Sequence, residues 1–157
     1  GGLWMGHEIL GFGRLAELIE GPMHVHEDDA AAFASFTGVA EDRIETHADG
    51  GTLTVGEVEI ALIHTPGHTP GGMCLHAPGH VITGDVLFVG ACGRTDLPGS
   101  DPRKMVESLK RLAELPGETQ VWAGHHYGPT MQSTIADEKL GNPMMQFDKV
   151  EDWLRLG

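Results

Sequence analysis

Between residues 64 and 72 the chain reads His64-Thr65-Pro66-Gly67-His68-Thr69-Pro70-Gly71-Gly72, a run that neither a helix nor a strand accommodates. Each proline fixes its own φ and lacks a backbone donor, while the glycines let the backbone turn tightly. The segment is a stiff loop presenting two imidazoles, and the fold has to be one that supports it. Just upstream the apolar period is two. Leu53 and Val55 alternate with polar residues, Gly56 turns the chain, and Val58, Ile60 and Leu62 lead up to His64. A β-hairpin feeding a histidine loop is expected.

Two further strands end in the same manner. Residues 73–76 and 80–83 form a strand pair across Pro78-Gly79, and the second strand runs into Gly84-Asp85. Residues 119–123 form a short buried strand that runs into Gly124-His125-His126. Around these strands the period is helical. An amphipathic helix is predicted over 12–20, ended by Gly21-Pro22, and then a short strand over 22–26. A second helix starts from a cap at Asp28 or Asp29 and stops at Gly38, and a third opens on Pro102 after Asp101, with Met105, Leu109, Leu112 and Leu115 on one side. Two more close the chain over 133–140 and 148–156, the last with Asp148 and Glu151 as a capping box. Neither repeat nor linker interrupts residues 1–157, so one layered α/β or α+β domain is expected.

Charge narrows the partners. Against 23 Asp+Glu stand only 10 Lys+Arg, a net charge of −13, so the chain cannot build the basic face that a nucleic acid or an anionic membrane requires. It contains neither a transmembrane-length apolar run nor a basic leader ahead of one, and a cytoplasmic protein acting on a small molecule is the expectation. Cys74 and Cys92 are too few for a disulfide scaffold. Histidine, in contrast, is as numerous as Lys and Arg together, at 10 residues, which points to metal or acid–base chemistry. His68, Asp85 and His125 carry that idea furthest: imidazole and carboxylate donors at strand ends, each beside glycine, suit a borderline cation such as zinc.

The motifs HTPGHTPGG (64–72), GDVLF (84–88), CGRTDLPG (92–99), AGHHYGPT (123–130) and EKLGNP (138–143) resemble those of the metallo-β-lactamase superfamily, nearest its hydroxyacylglutathione hydrolase (glyoxalase II) and persulfide dioxygenase branch. The resemblance implies an αββα sandwich with the metal site at one edge of the sheets. It makes His68 a ligand of a first metal, Asp85 the carboxylate bridging two metals, and His125 a ligand of a second, with Arg94 and Asp96 in a structural loop.

The chain departs from the family near its start. Aligned on the helix that follows the family's H-x-H-x-D-H motif, its four ligand positions hold Leu3, Met5, His7 and Glu8. Part of the N-terminal sheet of the sandwich is also expected to be missing, so a homodimer covering the exposed region is anticipated. The resemblance then implies one zinc ion tightly held by His68, Asp85, His125 and His7 or Glu8, a second metal left open, and iron or manganese as alternatives. Asp85, Glu8 and His7 are the catalytic candidates, and His126 and His64 are candidate substrate or second-metal contacts. The implied activity is hydrolysis of an ester, thioester or phosphoester by activated water. The alternatives are a mononuclear iron persulfide dioxygenase-like oxidoreductase or a non-catalytic binding module. His24-x-His26-x-Asp28-Asp29 repeats the spacing of the missing motif but is read as structural, because in the family this stretch leads away from the metal; Cys92 is likewise read as structural, and His47, His76 and His80 as surface residues.

Overall fold

Parallel pairing of two short strands opens the architecture. The computed structural model describes residues 13–156, and after a helical stretch at 13–18 the chain forms β1 (Met23–His26), α1 (Glu27–Thr37) and β2 (Ile44–His47). β2 lies parallel to β1, with Met23 opposite Ile44 and His24 opposite Glu45. Alternation sends Met23 and Val25 to one face, where they pack with Phe33, Val39 and Ile44, and leaves His24 and His26 on the other.

The predicted hairpins supply the larger sheet. β3 (Thr52–Val55) and β4 (Val58–His64) pair antiparallel across Gly56, whose φ of 63° provides the left-handed turn. β5 (Met73–Ala77) and β6 (His80–Gly84) continue the antiparallel order across Gly79. The chain then leaves through a small hairpin, β7 (Leu87–Phe88) with β8 (Ala91–Cys92), and through α2 (Pro102–Ala113). β9 (Gln120–Ala123) returns parallel to β6, and β10 (Ser133–Thr134) pairs with β9, giving a six-stranded sheet in the order β10-β9-β6-β5-β4-β3. The second sheet of the sandwich implied by the resemblance is represented, among the described residues, by β1 and β2.

α2 is the helix the sequence marks most clearly. Asp101 caps it by accepting from the Arg103 and Lys104 amides, and Met105, Leu109 and Leu112 bury their side chains in one cluster with Val81, Val121 and Cys74. Burial of each such side chain is worth roughly 1.5–3 kcal/mol, which fixes α2 as the support of the loops at this end.

The polar parts of the fold act as latches. Asp29, buried in the first turn of α1, accepts from the Thr69 hydroxyl at 2.7 Å and the Gly71 amide at 2.8 Å, tying the 64–72 loop to the β1–α1 unit. A Cβ at Gly71 would stand 2.6 Å from Asp29 Cγ, so only glycine allows the approach. Glu138 and Asn142 of the EKLGNP motif do the same for the small hairpin. Glu138 accepts from Gly90 N and Ser133 Oγ, and Asn142 Nδ2 donates to the carbonyls of Phe88 and Ala91.

Three expectations need correction. α1 is capped by His26, whose Nδ1 accepts from Asp28 N, because Asp29 is turned inward to the loop. Ser133 and Thr134 form β10, and the following helix α3 (Ile135–Gly141) starts only after Thr134 caps it. The last helix α4 covers only Val150–Trp153 before a 3-10 turn, with Lys149 at its cap position. The expected capping box does not form there: Glu151 pairs with Arg103, and the Asp148 carbonyl accepts from Lys110.

Two outcomes follow. Asp29→Ala strands two buried donors, so urea unfolding is expected to report a loss of about 2–4 kcal/mol, with Asp29→Asn losing less. His26 is held below its ordinary 6.5 by burial and by the neighbouring His64, the acidic side chains of α1 opposing less strongly. The unfolded chain therefore binds the proton more readily, and this contribution to stability is present above pH 6.5 and is lost as pH falls through 6.5 toward the lower folded value. Unfolding free energy measured from pH 7.5 down to 5 should fall less steeply for His26→Asn, which keeps a capping acceptor without the titration.

Candidate metal centre

Topology brings the three donors together. β4, β6 and β9 all run in one direction, so the 64–72 loop, Asp85 and His125 emerge at the same end of the sheet. β6 and β9 are neighbours, with Gly84 paired to Ala123, which sets Asp85 beside the 124–125 turn. His125 Nδ1 lies 2.7 Å from Asp85 Oδ1, and His68 Nε2 lies 3.8 Å from Asp85 Oδ2, so each imidazole faces its own carboxylate oxygen.

Each group is oriented by its surroundings. His68 Nδ1 donates to the Arg94 carbonyl at 2.8 Å, which leaves the lone pair on Nε2, directed to Asp85. Ser100 holds the His68 carbonyl at 2.8 Å. Asp85 is 5% exposed, and glycine is obligatory on two sides of it. A Cβ at Gly93 would lie 1.9 Å from the Asp85 carbonyl oxygen, and one at Gly124 2.8 Å from Asp85 Oδ1. The ring of His125 is stacked on Tyr127 at 5.2 Å and meets Phe88 edge-on at 5.9 Å.

These residues line a pocket of about 320 Å³ together with Phe88, Cys92, Leu97 and Tyr127, at the lower end of the range for small-molecule sites. Burial pushes the Cys92 thiol up to about 12, so it is protonated at neutral pH and unsuited to act as a nucleophile. The donor chemistry, two imidazoles and a carboxylate with an imidazole at each oxygen, would suit a divalent ion of the zinc or iron type, with the lone pair of His68 already oriented by the Arg94 carbonyl. The 2.7 Å between His125 and Asp85 is a hydrogen bond. The ring donates that bond, so a metal held by His125 Nδ1 together with Asp85 would have to replace its proton.

Other candidates fall elsewhere. His7 and Glu8 lie outside the described residues. His126 is exposed and does not line the pocket, where Tyr127 stands instead. His64 is also away from it: its Nε2 bonds the Pro70 carbonyl at 2.8 Å and its ring stacks on His26 at 3.8 Å, so it orders the loop. Sequence reasoning missed the aromatic lining by Phe88 and Tyr127 and the Arg94 carbonyl behind His68. Tyr127, two residues beyond His125 on the same strand-end turn, carried the one available signal.

The family profile of the Metallo-beta-lactamase superfamily matches residues 2–125. Over 81 residues the chain is 48% identical to the hydroxyacylglutathione hydrolase of Gloeobacter violaceus, covering 50% of this chain and 31% of that protein. Over 108 residues it is 32% identical to the probable polyketide biosynthesis zinc-dependent hydrolase PksB of Bacillus subtilis, covering 68% and 48%. Among solved structures, ETHE1 from Myxococcus xanthus superposes with a TM-score of 0.68 at 28% identity, over 93% of this chain and 72% of that one. The chain spans between 31% and 66% of the length of the curated relatives it matches. With a strand-end His/Asp/His arrangement in place and the profile covering most of its length, the chain belongs to the metallo-β-lactamase superfamily, and its similarity to hydroxyacylglutathione hydrolases and to ETHE1 is consistent with the branch its motifs resemble.

Proposed function

We propose that the protein is a metal-dependent hydrolase of esters, thioesters or phosphoesters, with His68, Asp85 and His125 holding the metal. The observation that supports this best is the pairing of each carboxylate oxygen of buried Asp85 with a different imidazole at the wall of a small pocket. Zinc is the proposed ion, with iron or manganese as alternatives. When bound, it supplies an acidified water and polarises a carbonyl or phosphoryl oxygen.

The chain's own residues do the rest. The Arg94 carbonyl keeps the proton of His68 on Nδ1, so the nitrogen directed to Asp85 is always a donor of electrons. Gly93 and Gly124 let the backbone close around Asp85, and the apolar sides of Phe88, Leu97 and Tyr127 strip water from an entering acyl or aryl group. Glu8 and His7 are proposed as further ligands or as the general base. The resemblance to ETHE1 favours a second reading, an oxygen-consuming oxidoreductase using a single iron.

Metal content per chain and hydrolysis of p-nitrophenyl acetate, an acyl thioester and bis-p-nitrophenyl phosphate, for wild type and Asp85→Ala, test the proposal. Asp85→Ala should lose at least one equivalent of metal and fall about 100-fold or more in activity, while retention of both would remove the proposal. Iron in the purified protein with oxygen uptake and no hydrolysis would favour the second reading. Chelation that changes neither melting temperature nor activity would favour a non-catalytic module. Because the Cys92 thiol stays protonated, Cys92→Ser should keep kcat within about threefold of wild type.

A further inference from the structure

A second group of ligand-forming side chains lies on the β1–β2 pair, apart from the pocket. The parallel register sets His24 beside Glu45 and His26 beside His47, and alternation turns His24, Glu45 and His47 to one face. His24 Nδ1 and His47 Nε2 are 2.9 Å apart. The Glu45 carboxylate spans both, with one oxygen 3.9 Å from His24 Nδ1 and the other 3.8 Å from His47 Nε2.

Those separations are informative. At 3.8 and 3.9 Å the carboxylate is beyond hydrogen-bond reach of either ring, yet no lysine or arginine among the described residues pairs with it. Two imidazoles and a carboxylate around one ion at about 2.0–2.1 Å stand roughly 3.3 Å from one another, between the 2.9 Å and the 3.8–3.9 Å observed. Small adjustments in opposite senses close that geometry. The side chains are free to make them: His47 is the fixed member at 11% exposed, while His24 and Glu45 are 35% and 55% exposed. One ring has to carry its proton on its other nitrogen for both lone pairs to converge, a change of tautomer that needs no added charge. A chain of net charge −13 also favours a cation.

The neighbouring His26, Asp28 and His64 differ in kind. His26 Nδ1 is engaged in capping α1 and His64 Nε2 in binding the Pro70 carbonyl, and the two rings lie face to face at an interplanar angle of 12°. Both nitrogens nearest the Asp28 carboxylate are thus already committed to backbone groups.

We propose that His24, Glu45 and His47 form a second metal site, for a divalent transition ion of the zinc class, that pins β1 to β2. Such a clip has a clear physical use: the pair has four residues per strand and no third strand among the described residues, and a ligand that binds only the folded pair stabilises it.

The test uses the full chain carrying Asp85→Ala, which silences the pocket, with and without His24→Gln or Glu45→Gln. Zinc is followed by equilibrium dialysis and thermal unfolding, and Co²⁺ by paramagnetic broadening of the imidazole signals. The expected result is one equivalent of zinc, a zinc-dependent rise in Tm of about 5 °C, and broadening at His24 and His47 ahead of His76 and His80. His24→Gln and Glu45→Gln should each weaken zinc binding about tenfold or more while leaving the metal-free Tm close to that of the parent, since both side chains are substantially exposed. Zinc uptake that His24→Gln and Glu45→Gln leave unchanged, or cobalt broadening that spares His24 and His47, would overturn the proposal.

Discussion

The parallel pairing of β6 with β9 is the constraint on which the site depends. Every other strand contact in the large sheet is antiparallel, and antiparallel neighbours send successive loops to opposite ends. One parallel pairing, made through the crossover that contains α2, brings the ends of β6 and β9 out side by side. Asp85 and His125 then need no further device to meet, since each is placed within two residues of its strand end. The burial of Met105, Leu109 and Leu112 that holds α2 in place is therefore also what holds the site together.

Around that scaffold the loops are held by polar contacts, each with one conformational requirement. Asp29 clamps the 64–72 loop only because Gly71 has no side chain, and Asp85 is enclosed only because Gly93 and Gly124 have none. Glu138 and Asn142 perform the corresponding task for the hairpin that carries Phe88 and Cys92 to the pocket wall. These are buried polar side chains matched to backbone groups and hydroxyls of other segments, so their contribution lies mainly in what their removal would leave unsatisfied. Side chains carried on loops held this way keep fixed positions, which the proposed metal site, with donors from three loops, would require.

The hairpins were legible because both their turns and their periods are local: Gly56 and Gly79 mark the turns, and alternation marks the strands. α2 was legible for the same reason, from Asp101, Pro102 and its apolar stripe. Misreadings arose where a side chain had a distant partner. Asp29 looks like a cap until Thr69 and Gly71 are folded against it, and Glu151 looks like half of a capping box until Arg103 reaches it from α2. Ser133 and Thr134 fit a helix by composition, but β9 offers them an edge to pair with. His68, Asp85 and His125 were singled out by their strand-end positions beside glycine and by the resemblance of their motifs, whereas the Arg94 carbonyl meets His68 through a backbone atom, which no residue pattern announces.

Histidine itself shows why spacing alone is an insufficient guide to ligands. His24-x-His26-x-Asp28-Asp29 has the intervals of a metal motif, yet the fold assigns its members to separate tasks: His26 caps a helix and stacks on His64, Asp29 latches a loop, and only His24 keeps a nitrogen directed at other donors. Its partners are Glu45 and His47, supplied by a strand that is remote in sequence but adjacent in register. An imidazole becomes a ligand when the hydrogen bond at its second nitrogen and the strand beside it leave a lone pair facing a carboxylate. For the two proposed sites, the Arg94 carbonyl orients His68 in this way, and the parallel pairing of β1 and β2 brings His24 and His47 together beside Glu45.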